Sequence, residues 1–288
     1  MEVDELLEFY FTRPTRPFAG VNYNAEEADT WIIGVPFDAT VSFKPGTRFA
    51  PRRIREVAWE LETYNPLRRA DVEELPIADL GDVPLLTEFT TLSKLLRKIA
   101  ATASRMKKRL ITIGGEHLIT LPIVSGLLDP LRDSLLVFDA HLDLRDEYPM
   151  SAKYSHATVM RRIREEVGVE IYYYKPRAFS KEEHAFLKKD YGLHIVDDIS
   201  KVDDVGKNIY LSIDMDAVDP AYAPAVGNPE PLGLLPAEIL EVVKRLGEMG
   251  VHVKGVDVVE VNPMIDVNDI TSMLAAKILL EILFLLYL

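Results

Sequence analysis

Short apolar runs recur along the chain, separated by longer stretches in which apolar residues return every three or four positions. The runs are Trp31-Ile32-Ile33-Gly34-Val35, Leu110-Ile111-Thr112-Ile113, Leu135 to Phe138, Ile171 to Tyr174, His194-Ile195-Val196, Ile209 to Ile213 and Val253 to Val259. Runs of this kind predict strands buried on both faces, as in a parallel sheet. Between them, Thr91 to Lys107 places Leu92, Leu95, Leu96, Ile99, Ala103 and Met106 on one helical face. Pro236-Ala237-Glu238 opens a second helix with proline and an acid in its first turn, and Gly250 closes it. His156 to Glu166 supplies a third. Repeated β-then-α alternation, with no internal repeat or Gly/Ser linker, predicts an α/β fold: a parallel sheet flanked by helices in one domain, residues 1–288.

The polar positions are as ordered as the apolar ones. Four runs end in functional groups: Gly114-Gly115-Glu116-His117, Asp139-Ala140-His141-Leu142-Asp143, Asp214-Met215-Asp216, and Glu260. Strand ends at one lip of a parallel sheet are where α/β proteins bind ligands, so groups far apart in sequence converge there.

Composition narrows the chemistry. An apolar fraction of 48% against 27% charged suffices for a sizeable core. There is no cysteine, which excludes disulfides, thiolate metal sites and a cysteine nucleophile. The net charge of −13 disfavours nucleic acid as a partner and attracts a small cation. The start, Met1-Glu2-Val3-Asp4-Glu5-Leu6-Leu7-Glu8, is acidic and unlike a signal peptide, so the expected compartment is the cytoplasm. The apolar tail, Ile278 to Leu288, is interrupted by Glu281 and falls short of the about 20 residues that span a bilayer. It is expected to be a buried terminal element or a subunit contact, with no membrane partner.

In an extended segment residues i and i+2 share a face, so Asp139 pairs with His141 and Asp214 with Asp216. Asp143 extends the first pair if the chain stays extended that far. With His117 the set holds two His and four Asp, and carboxylates this close raise one another's pKa unless a cation joins them. One imidazole per ion among carboxylates suits Mn²⁺ better than zinc. Two such ions about 3.5–4 Å apart share a water and lower its pKa toward about 7, making a bridging hydroxide nucleophile.

These motifs, in this order, resemble the ureohydrolases, the arginase and agmatinase family. So do Gly34-Val35-Pro36-Phe37-Asp38, Pro45-Gly46-Thr47-Arg48, the extension Ala217-Val218-Asp219-Pro220 and Glu260-Val261-Asn262-Pro263. The resemblance covers roughly residues 31 to 276. It implies a three-layer α/β/α sandwich with a central parallel sheet, two Mn²⁺ ions, hydrolysis of a guanidino group to urea and an amine, and a homo-oligomer, trimer or hexamer.

Carried over by motif, it assigns His117 and Asp143 to one Mn²⁺ and His141 and Asp216 to the other, with Asp139 and Asp214 bridging. Asp143 and the ions stabilise the tetrahedral intermediate, Glu260 receives the substrate guanidinium, and His156 shuttles a proton and contacts substrate. Tyr154-Ser155-His156 is similar to the agmatinases, and Arg145 stands where arginases carry an Asn that holds the amino-acid head of their substrate. The expected substrate is a cationic guanidino compound: agmatine, giving putrescine and urea, or aminopropylagmatine, giving spermidine and urea. Arginase or guanidinobutyrase activity is the alternative within the family. Outside it stand a two-metal phosphoesterase, whose usual Gly-Asp and Gly-Asn-His partners are missing, and a non-catalytic polyamine-binding protein. Glu116, Leu118 and Ala157 depart from the family's usual Asp, Ser and Gly, which bears on pocket shape rather than on the ligand set.

The three residues Tyr172, Tyr173 and Tyr174 are expected to pack, and Arg161, Arg162 and Arg164 to form a solvated or subunit-contact face.

Overall fold

The structure is a computed structural model that describes residues 10–287 apart from Leu67, Pro149 and Ser151. The acidic start, Met1 to Glu8, lies outside the described residues.

Eight strands form one parallel sheet: β1 Thr30–Gly34, β2 Ile77–Asp82, β3 Arg109–Ile113, β4 Ser134–Phe138, β5 Glu170–Tyr174, β6 Leu193–Val196, β7 Asn208–Asp214 and β8 His252–Val259. Their spatial order is β2-β1-β3-β8-β7-β4-β5-β6. The helices are α1 Ala50–Ala58, α2 Phe89–Arg105, α3 Thr120–Leu127, α4 Val159–Glu166, α5 Lys181–Leu187, α6 Pro236–Glu248 and α7 Ile270–Tyr287.

Alternation along each strand divides its apolar side chains between two cores. Ile32, Ile111, Leu136, Phe138, Leu211 and Val256 face α1, α6 and α7. Trp31, Ile33, Leu110, Leu135, Val137 and Tyr173 face α2, α3 and α4. Both faces are therefore covered, which is why most strand interiors are apolar rather than alternating. This is the three-layer α/β/α sandwich.

All seven expected strands form, and one further strand of the eight-stranded sheet was missed. In β2, Ile77-Ala78-Asp79-Leu80-Gly81-Asp82, two carboxylates and a glycine break the apolar run. Asp79 is tolerated because the buried Arg55 of α1 donates to it twice, at 2.7 and 2.9 Å, and a second arm reaches Asp82.

The tail helix is longer than expected, starting at Ile270 rather than Ile278. By length and composition it matches a membrane span. Its apolar residues, among them Ile278, Leu279, Ile282 and Leu283, are instead buried in the core against α1 and α6.

The arginines of α4 are corrected as well. Arg162 is 2% exposed and pairs with Asp146 at 2.9 Å, Arg161 lies over the Phe186 ring and pairs with Glu165, and Arg164 grips Asp190. Their charges are met within the chain rather than by solvent.

Candidate metal centre and active site

The four strands that run out into functional groups are consecutive neighbours, β3-β8-β7-β4, in the middle of the sheet. Their C-terminal ends bring His117, Glu260, Asp214, Asp216, Asp139, His141 and Asp143 to one lip. A cavity of about 630 Å³ opens above them, within the usual range for small-molecule sites. Of the eight expected site residues all but Asp139 line it, and Asp139 lies beneath at 1% exposed.

His117 Nδ1 lies 3.2 Å from Asp139 Oδ2, 3.2 Å from Asp143 Oδ2 and 3.3 Å from Asp214 Oδ2. A second group joins Asp139, His141 and Asp216, with His141 Nδ1 2.9 Å from Asp216 Oδ2 and 3.5 Å from Asp139 Oδ1. Asp139 belongs to both groups.

Local backbone explains the convergence, and differs from the extended chain expected. The Asp139 carboxylate accepts the His141 amide at 2.6 Å, and that of Asp214 accepts the Asp216 amide at 2.8 Å. Each strand thus ends in an Asx turn that folds residue i+2 back onto residue i. Asp143 is not reached by a further extended step: its φ is +50°, a left-handed conformation unusual for a side chain other than Gly. Glu260 is held likewise at φ +66°. Backbone of this kind persists where surrounding structure over-determines it, and clusters at functional sites.

A chain of buried polar groups fixes the His117 ring. Asp257 accepts hydroxyl hydrogen bonds from Ser212 at 2.6 Å, Thr120 at 2.8 Å and Tyr210 at 2.9 Å. Ser212 has then spent its proton and offers a lone pair to His117 Nε2, 2.9 Å away. The Nε2 atom carries the ring proton, and Nδ1 presents its own lone pair to the three carboxylates. Both Nδ1 and Asp139 Oδ2 are buried without a hydrogen-bond partner. A proton on Nδ1 serves one oxygen at a time, whereas a divalent ion serves all four donors together. One imidazole with carboxylate oxygens is a donor set for such an ion, so the residues present fit a metal.

Electrostatics agree. Burial and the charge of Asp139 push Asp143 up to about 7. Burial and the neighbouring carboxylates raise Asp214 and Asp216. In the metal-free site, protonated His117 and His141 would hold Asp139 below the usual carboxylate range against burial. Bare, the cluster cannot keep all its charges.

Glu260 Oε1 accepts the His117 amide at 2.8 Å, and its Oε2 lies beside Gly227, where a Cβ would crowd it. Gly115 is required by close approach: a Cβ there would collide with the Phe37 carbonyl. The outer motifs interlock around this point. Asp38 accepts the Gly46 amide at 3.0 Å and pairs with Arg48, while Asn262 Nδ2 donates to the carbonyls of Lys44 at 3.0 Å and Pro45 at 3.1 Å. His156 is 7% exposed, with Ser42 Oγ 3.3 Å from its Nε2, and burial holds its pKa down to about 4.

Several contributors escaped the sequence reading. Asp257 left a signal, a lone acid inside an otherwise apolar buried strand. Tyr173, expected only to pack, also donates its hydroxyl to the Leu142 carbonyl at 3.0 Å, beside Asp143. Thr40, Arg177 and Glu183 carried no signal, because their partners are distant in sequence. Among the three departures, Leu118 is absorbed into the core beneath α3, and Ala157 lines the cavity while its carbonyl accepts the Arg145 amide at 3.2 Å.

Comparison with known proteins identifies the family. Residues 28–285 match the arginase family. The chain is 35% identical over 268 residues to an agmatinase of Bacillus subtilis, covering 90% of this chain and 92% of that one. It is 36% identical over 287 residues to the N(1)-aminopropylagmatine ureohydrolase of Thermococcus kodakarensis, covering 95% and 96%. The crystal structure of agmatine ureohydrolase from Thermoplasma volcanium superposes with a TM-score of 0.85 at 33% identity, covering 98% of this chain and 97% of that one. A match over nearly its full length places this chain in the arginase family.

Proposed function

We propose that this chain is an amidinohydrolase that releases urea from a cationic guanidino compound, agmatine or its aminopropyl derivative. The observation that carries the reading is the bare Nδ1 of His117 among three carboxylate oxygens, beside a second group that shares Asp139. His117 and Asp143 would hold one ion and His141 and Asp216 the other, with Asp139 and Asp214 available to both. Divalent ions held there, proposed as Mn²⁺ from the donor set, supply a water activated near neutral pH.

The chain's own residues do the rest. Glu260, half committed to the His117 amide, offers its remaining acceptor capacity to the planar guanidinium, which matches a carboxylate through two hydrogen bonds. The cavity is lined by six carboxylates, Asp143, Glu183, Asp214, Asp216, Glu230 and Glu260, against one guanidinium, Arg145, so it attracts a cation. The depressed pKa of His156 leaves its ring neutral at pH 7, able to take a proton released at the site and pass it to the leaving amine. Assembly into trimers or hexamers is part of the proposal on the family's precedent, and analytical ultracentrifugation checks it.

The test is urea release from agmatine, aminopropylagmatine, arginine and guanidinobutyrate, with Mn²⁺ supplied and then chelated. Mn²⁺-dependent urea from an amine-tailed compound is expected. No urea from any of them, with metal bound, would overturn the reading in favour of a polyamine-binding protein.

A further inference from the structure

We propose that Glu230 is the group that recognises the distal ammonium of the substrate, and so sets the preference for an amine-tailed guanidino compound. The inference rests on the amidinohydrolase reading above and adds the determinant of its substrate class.

Glu230 lines the cavity that contains the metal-binding groups and Glu260, and is half-buried there. Of the cavity's carboxylates, four belong to the metal cluster or face the guanidinium. Glu183 is spent on structure, accepting the amides of Leu144 at 3.1 Å and Ser180 at 2.7 Å. The Glu230 carboxylate alone among them has no hydrogen-bond or ion-pair partner among the described residues. A half-buried carboxylate held without a counter-charge beside a binding cavity is poised for a cation from outside.

Its position is fixed. Arg177 Nη2 donates to the Glu230 carbonyl at 2.6 Å and to the Asp216 carbonyl at 2.8 Å, while its Nε reaches the Pro231 carbonyl at 3.1 Å and its Nη1 that of Ala217 at 2.9 Å. One guanidinium therefore ties the segment carrying Glu230 to the turn carrying the metal ligand Asp216. An ammonium on Glu230 and a guanidinium on Glu260 are two ends of one dication, and the distance between the carboxylates selects the length of its linker.

Arg145, the cavity's one guanidinium, does not reverse this choice. It lies over the Tyr148 ring at 4.8 Å and faces Glu183 at 4.0 Å, so its charge is met inside the protein. An anionic tail finds no unpaired cation among the described lining residues and meets Glu230.

The experiment compares the Mn²⁺-loaded wild type with Glu230→Gln and Glu230→Asp on three substrates: agmatine, pentylguanidine as its isostere without the tail charge, and 4-guanidinobutyrate. Glu230→Gln should lower kcat/KM for agmatine about 10- to 100-fold, mainly through KM, as expected for loss of a charge-assisted contact. It should leave pentylguanidine within about twofold, and improve guanidinobutyrate. Glu230→Asp should recover part of the agmatine loss. Equal losses on all three substrates, or an unchanged KM for agmatine, would overturn the assignment. Urea from wild type only with guanidinobutyrate would overturn it too, while leaving the amidinohydrolase reading intact. Urea from none of the three, nor from aminopropylagmatine, would overturn both.

Discussion

Thr40 takes both oxygens of the Glu116 carboxylate: its amide donates to Oε2 at 2.9 Å and its hydroxyl to Oε1 at 2.5 Å. The same hydroxyl oxygen accepts the His156 amide at 3.1 Å. The loop carrying Ser42, Glu116 before the candidate ligand His117, and His156, the proposed proton shuttle, are thus one hydrogen-bonded unit. Glu116 stands where the family usually has Asp, and its extra methylene supplies the reach to Thr40.

Glu116→Ala leaves the Thr40 amide and hydroxyl protons without their acceptor in a half-buried setting. The expected cost is about 1–3 kcal/mol of stability, with lower kcat because His156 loses its anchor. Glu116→Gln, which keeps the length and one acceptor, should recover most of the stability. Urea denaturation with parallel kcat measurements checks this. An Ala variant as stable and active as wild type would remove Glu116 from the arrangement.

Asp257→Asn tests the chain that sets the His117 tautomer. An amide at this position can donate back to Ser212, which frees the serine proton to turn toward His117 Nε2 and favours the wrong tautomer. Outer groups of this kind typically contribute about 10- to 100-fold in metal affinity, and a loss of that size is expected for the ion on His117. Titration calorimetry on the metal-free protein reads it directly. Affinity equal to wild type would show that the chain does not fix the ring.

Asp139 belongs to both ligand groups, so Asp139→Ala should remove both ions and abolish urea release. Asp214→Ala should do the same if its carboxylate, 3.3 Å from His117 Nδ1, is shared between the ions. Bound metal per chain, measured by plasma mass spectrometry, decides the point. Two ions retained in either variant would reject that bridging role.

His156 makes stability depend on pH. Burial holds its folded pKa at about 4, below the ordinary 6.5 of an exposed imidazole. Below pH 6.5 the unfolded chain binds a proton that the folded chain refuses until about pH 4. Stability therefore falls as pH drops through this window, by up to about 3 kcal/mol at its lower end. Because carboxylates titrate there too, the informative quantity is the difference between wild type and His156→Asn. Denaturation midpoints at pH 7.5 and 5 should lie closer together in the variant; equal pH slopes would contradict a neutral buried ring.

Much of the molecule was legible before it folded. Most of the strands are short, largely apolar segments, as burial on both faces of a sheet requires. β2 was hidden because Asp79 and Asp82 are acceptable in a buried strand only with Arg55 beside them, and that arginine lies on another element. The ligands were legible because metal chemistry restricts residue types and because they stand directly after strands. The Asx turns were harder to foresee, since an Asp at a strand end writes the same letters whether the next residues extend or turn. Arg162 misled for a related reason: a charge on a helix signals solvent unless its partner is known.

The sequence by itself determined the strands, the family and the identity of the candidate ligands, all of which depend on neighbours within a few positions. Only the tertiary structure decided that β3, β8, β7 and β4 lie side by side, which turns four separate strand ends into one site. It likewise decided the left-handed backbone at Asp143 and Glu260, the Asp257–Ser212–His117 chain and the carboxylate of Glu230, unpaired among the described residues. Each of these depends on groups far apart in sequence, and the free energy of a buried polar group is set by what stands next to it in space.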